Sequence, residues 1–178
     1  MKITWFAAMT FRIHIAGRIV VVHADGAPEH VNPAELVGGA QTLVSADSPE
    51  LARFDPLSWR PRRRARVIDV DPGEEGLSLY RLSARGLVAD SLDEGLLVLE
   101  DAGIQAQWNR WADGAVVVLS GTGAECAAHG LALLDIARPR LIALAVTDGA
   151  IDVAFDALAD DIGDASLVVL EPGMAVEV

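Results

Sequence analysis

The segment Gln41 to Leu51, QTLVSADSPEL, carries side chains that could do chemistry in a place where ligands are usually held. Thr42, Leu43 and Val44 form a short apolar run with β-branched members, and Ser48-Pro49-Glu50 offers an N-cap followed by proline at the first helical position. The spacing predicts a buried strand, a tight loop and a short helix that continues through Phe54 and stops at Asp55-Pro56. In open α/β folds ligands bind in the loop after the carboxyl end of a strand, so Ser45, Ala46, Asp47, Ser48 and Glu50 line the expected pocket. The pocket is chemically poor, and no working active site is legible in it.

Other constellations have a structural reading as their default. The loop from His23 to His30 holds two histidines and two carboxylates, but no helical i,i+4 pair and no recognisable ligand spacing, so it reads as a polar surface loop. Cys126 and His129 stand three apart on one helix face. A cysteine nucleophile with a histidine base can be drawn there, against a default of a packed thiol and a surface imidazole. Gly121-Thr122-Gly123 precedes a helix whose N-terminus could take an anion, yet no lysine follows as in a phosphate-binding loop. Five arginines lie between Arg60 and Arg66. They read as a solvated loop balancing an acidic surface, with an anion- or partner-binding patch as the sharper alternative. Trp59, Trp108 and Trp111 are expected as core or interface anchors.

The elements that must position these residues follow from periodicity. Lys2 to Trp5, Thr10 to Ile15 and Ile19 to Val22 predict a β-meander in which His14 points away from the core. Asn32-Pro33-Ala34-Glu35 predicts a short helix start. Arg66 to Val70, Leu77 to Leu82, Leu96 to Glu100 and Ile104 to Trp108 are expected strands, with turns at Asp71-Pro72-Gly73 and Asp101-Ala102-Gly103. From Asp113 the pattern becomes α/β: a strand Ala115 to Leu119, a capping box Thr122-Gly123-Ala124-Glu125 opening a helix to about Arg138-Pro139, and a strand Leu141 to Val146. A helix with Ile151, Phe155, Leu158 and Ile162 on one face follows, then strands Leu167 to Leu170 and Ala175 to Val178. Two similar halves, packed sheet to sheet with helices outside, are implied.

Composition bounds the function. With 178 residues, 52% of them hydrophobic, the chain can bury the core of one domain spanning 1–178. Its apolar runs fall well short of the roughly 20 residues that span a bilayer, and Arg12 interrupts the place where a signal peptide would be apolar. A cytoplasmic location is expected. The single cysteine excludes an internal disulfide and a cysteine zinc cluster. A net charge of −12 disfavours nucleic-acid and anionic-membrane binding.

Met1-Lys2-Ile3-Thr4-Trp5-Phe6 with Thr10-Phe11-Arg12-Ile13, and Leu167-Val168-Val169-Leu170-Glu171-Pro172-Gly173 at the other end, carry a family resemblance. So do Ala115 to Thr122 and Ile136 to Ile142. The chain resembles metallo-β-lactamase-fold hydrolases of the L-ascorbate-6-phosphate lactonase-like branch, which implies an α/β (α+β) four-layer αββα sandwich, here shortened, with a metal site between the sheets. The same resemblance implies that the donors are gone. Ala7-Ala8-Met9 stands where the family has Gly-His-Ser. Ala46, Ser48 and Leu51 replace the three histidines of its Thr-His-x-His-x-Asp-His loop, and Glu50 alone keeps a carboxylate. The next histidine is missing near Ser83 to Arg85, the metal-bridging aspartate falls at Asn109, and the late histidine at about Val146.

Alanine, leucine and valine offer no lone pair, whereas a catalytic zinc needs about three protein donors and an open position. The expectation is therefore no catalytic residue, no metal ligand and no cofactor. A residual pocket of Asp47, Ser48, Glu50, Arg85 and Asn109 would take at most a small polar ligand or a hard cation. The expected role is a non-catalytic binding or oligomeric scaffold, as a homo-oligomer or with another protein. The alternative is a hydrolase with a non-standard site holding a divalent cation such as zinc or manganese.

Overall fold

The computed structural model describes residues 1–61, 76–104 and 108–178. Strands β1 (Lys2–Ala7), β2 (Thr10–Ile15) and β3 (Arg18–Val22) form the antiparallel meander. On β2, Phe11, Ile13 and Ile15 are buried while His14 is exposed, the expected alternation of a strand with one covered face. β4 (Thr42–Val44) joins β3 in parallel and β12 (Ala175–Glu177) joins β1 antiparallel, giving a five-stranded sheet in the order β12-β1-β2-β3-β4.

The second sheet has seven strands in the order β11-β10-β9-β8-β7-β6-β5. These are β5 (Ala52–Arg53), β6 (Leu77–Arg81), β7 (Leu87–Ser91), β8 (Gly95–Asp101), β9 (Val116–Gly121), β10 (Leu141–Val146) and β11 (Ser166–Val169). β8 to β11 run parallel, so their carboxyl ends share one edge. The crossovers from β9 to β10 and from β10 to β11 are α2 (Gly123–Ile136) and α3 (Ile151–Ala159), the connection that parallel neighbours require.

Alternate residues of β8 sort the two cores. Leu97 and Leu99 face the first sheet and pack with Ile3, Phe11, Ile13 and Val20, whereas Leu96 and Val98 face outward and pack with Cys126, Leu133 and Leu158 beneath α2 and α3. Over the first sheet the helical cover is thin: α1 (Pro33–Val37), whose Asn32 cap accepts from the Ala34 amide. Arg12 of β2 ties it down by donating to the carbonyls of Leu36 at 2.5 Å and Gly38 at 2.8 Å. The expected two-sheet sandwich is present, with the thinner helical cover on this side.

Four local expectations are corrected. No helix starts at Ser48. Its hydroxyl accepts back from the Ser45 amide at 3.0 Å, the chain turns at Pro49-Glu50, and Ala52-Arg53 extends to pair with β6, so sheet pairing overrides the cap signal. β4 is an edge rather than a buried strand, with Leu43 56% exposed. β7 was not among the expected strands, and it carries the polar pair Asp90 and Ser91. Both are buried: Asp90 accepts from the Trp59 indole at 3.2 Å, and Ser91 accepts from the amides of Asp93 and Glu94. On α3 the buried side chains are Ala154 and Leu158, and Phe155 turns to solvent. The expected strand Arg66 to Val70 lies outside the described residues, as does the middle of Ile104 to Trp108.

Candidate functional site

The carboxyl ends of β8, β9 and β10 open onto a cavity of about 350 Å³. Asp101 ends β8, Ser120 and Gly121 end β9, and Thr147 follows β10. Ala8 and Met9 come from the turn between β1 and β2, and Arg85 from the turn between β6 and β7. The position matches the general rule for ligands in open α/β sheets. Several positions singled out by the resemblance thus meet here: Ala8 and Met9, Arg85, and Thr147 beside Val146.

The polar groups of this cavity are held by the scaffold. Arg85 Nη1 donates to Asp101 Oδ2 at 3.1 Å. Ser120 Oγ donates to the Ala8 carbonyl at 2.6 Å, joining the two sheets. Glu125 Oε2 accepts from the Thr122 amide at 2.9 Å and hydroxyl at 2.8 Å, and Thr122 Oγ1 accepts from the Glu125 amide, completing the expected capping box. Asp148 accepts from the amides of Gly123 and Ala150, bonds that lower its pKa. The helix N-terminus considered as an anion site is therefore already served by the chain's own carboxylates.

The other predicted residues lie elsewhere. Asp47 accepts from Ser45 Oγ, which lowers its pKa, and with Ser48 it forms a local turn network. His23, in a left-handed conformation, reaches this loop and accepts from the Ala46 amide at 3.2 Å. Glu50 is exposed in the next turn. Asn109 accepts from the Arg110 amide at 2.7 Å, capping a 3-10 turn, and lines a different cavity of about 460 Å³ with Arg53, Phe54 and Trp108. Of the five residues expected to share a pocket, Arg85 borders the cavity at the strand ends and Asn109 borders the other.

Sequence reasoning missed Asp101 and Glu100. Asp101 had a signal, since it ends an apolar strand at an Asp-Ala-Gly turn, but it was read as turn punctuation. Glu100 had none, because its burial arises from non-local packing. It is 0% exposed, and burial pushes its carboxyl up to about 7 while the facing Ser83 hydroxyl offsets part of the rise. Cys126 matches the structural reading of a packed thiol, whereas His129, expected on the helix surface, is buried because Trp108 packs over it. The thiol lies 3.6 Å from the Leu119 carbonyl and burial pushes it up to about 12. The imidazole packs edge-on to Trp108 at 5.3 Å, with its pKa lowered by burial.

The site does not fit a catalytic zinc. Among the described residues no group of three His, Cys, Asp or Glu side chains stands close enough to hold a metal ion. Around the cavity one carboxylate is paired with a guanidinium and another is committed to a helix cap.

The two sheets and their outer helices define an α/β sandwich of two packed sheets. The chain is similar to the solved structure of Igni18, described as a novel metallo hydrolase from the hyperthermophilic archaeon Ignicoccus hospitalis KIN4/I, with a TM-score of 0.53 and 13% identity over 98% of this chain and 97% of that one. At this identity the likeness is one of fold. No protein-family model matches the chain, and no curated protein does. Among the described residues no helix is long and apolar enough to cross a membrane.

Proposed function

We propose that this chain is a non-catalytic member of the metallo-hydrolase-like fold that acts by binding, as a homo-oligomer or on another protein. The observation that carries the reading is the Arg85 guanidinium on Asp101 in the cavity at the strand ends. A cation placed at this carboxylate would compete with the guanidinium already paired to it, and Ala8 and Met9 beside it bring no side-chain donor suited to zinc. Glu125 and Asp148 serve the start of α2. The scaffold supports the reading equally: caps, crossovers and both cores are complete where the donors are missing.

The test is elemental analysis of untagged protein, purified without chelator and offered zinc, manganese and iron, with light scattering on the same sample. The expected result is well below one metal per chain. Near-stoichiometric metal overturns the proposal. A mass above 18.8 kDa identifies a homo-oligomer, and a mass at that value directs the search to another protein.

A further inference from the structure

Glu100 leaves β8 on the side opposite Asp101, the face that carries Leu96 and Val98, where it is fully buried. Neither carboxyl oxygen makes a hydrogen bond of regular geometry, and the polar group that faces the carboxyl is the Ser83 hydroxyl. Over it lies the turn of residues 82–86, closed by the Leu82 amide donating to the Gly86 carbonyl at 2.9 Å and by the Arg85 amide donating to Ser83 Oγ at 3.2 Å. A methyl group on Gly86 would overlap Glu100 Oε2 and lie 2.7 Å from Ser83 Oγ, so glycine leaves the space that the carboxyl fills. The same turn carries Arg85 to Asp101 on the cavity side. One short turn thus rests on a buried acid beneath and is strapped to a carboxylate at the rim.

We propose that this turn is a pH-sensitive clasp on the cavity, closed over the protonated carboxyl of Glu100 and loosened when that carboxyl ionises. The charged groups on the surrounding elements favour the neutral form. Asp101 on the same strand acts on Glu100 as a like charge, and Arg85 of the turn is engaged by Asp101. On α2, Glu125 is held at the helix cap, and burial favours the neutral form of His129. The β9 residue opposite Glu100 is Leu119. A carboxylate formed here meets the Ser83 hydroxyl but no counter-charge, and two movements relieve it: the turn lifts and admits water, or Arg85 leaves Asp101 for Glu100. Either one breaks the strap and widens the cavity mouth. The clasp does not depend on what the cavity binds.

The experiment is hydrogen exchange of the Leu82 and Ser83 amides, as protection factors corrected for intrinsic rates, between pH 5.5 and 8.5 in the wild type and Glu100→Gln. Protection in the wild type is expected to fall at least tenfold between pH 6 and 8 and to stay level in the variant. Carbon-13 NMR of the wild-type Glu100 carboxyl is expected to give a midpoint near neutrality, and it decides the matter if the variant does not fold. The same pH response in both proteins, or a carboxyl titrating in the ordinary glutamate range, overturns the clasp.

Discussion

Arg85 Nη1 stands 3.1 Å from Asp101 Oδ2, joining the turn between β6 and β7 to the end of β8 at the rim of the cavity. Because 67% of the Arg85 side chain is exposed, water screens the pair. Arg85→Ala is expected to lower stability by less than about 1 kcal/mol, read as the shift in a urea unfolding curve. A larger loss would mean that the pair holds the turn against the sheet rather than decorating its edge.

Glu100 sets a pH dependence of stability whose sign follows from its raised pKa. Burial pushes its carboxyl up to about 7 in the folded chain from an ordinary value of 4.5. Between these values the folded state keeps a proton that the unfolded state releases. The stability from this group is complete below pH 4.5, is lost as pH rises through 7, and then levels off. Glu100→Gln should remove the slope and stabilise the chain at pH 8 by up to about 3 kcal/mol. Urea unfolding at pH 5 and pH 8 checks it: parallel changes in both proteins would show that Glu100 titrates normally.

Gly130 lies where α2 crosses α3. A Cβ there would stand 2.7 Å from Leu158 Cδ2 and 2.9 Å from Cδ1, and Leu158 is fully buried. Alanine favours helix by about 1 kcal/mol over glycine, but overpacking costs about 1 to 3 kcal/mol. Gly130→Ala is expected to lower the melting temperature. A rise would mean that α3 shifts freely on its neighbour.

Cys126 is buried, its thiol pushed up to about 12 by burial and by the carboxylates of Glu125, Asp148 and Asp101. Thiolate is the reactive form, so the native protein is expected to resist a disulfide reagent for hours at pH 8, while protein unfolded in urea reacts fully with one thiol per chain. Rapid native labelling would reopen the reading of Cys126 and His129 as a nucleophile pair.

Local chemistry made much of the fold legible. The meander, the Asn32 cap, the Thr122-Glu125 capping box and the apolar runs at Val116 and Leu141 carry signals within a few residues, and each element stands where those signals place it. The misreadings share a physical cause. Ser48-Pro49 has a helix-start pattern, but an extended path lets Ala52-Arg53 join β6. Asp90 and Ser91 are a polar pair outside the expected strands, and are strand residues because an indole and two backbone amides accompany them into the interior.

The sequence by itself determined most of the elements, the sandwich they build and which positions lack an imidazole or thiolate donor, because these depend on periodicity, caps and side-chain identity. Tertiary structure alone decided which of those positions meet. Ala8, Arg85, Asp101 and Thr147 are far apart in the chain and line one cavity because β8, β9 and β10 run parallel and end together beside the turn from β1. It also decided that Glu100 is buried beneath a glycine turn while its neighbour Asp101 faces the cavity: successive residues of a strand point to opposite faces, and only the packed sheets decide what each face meets.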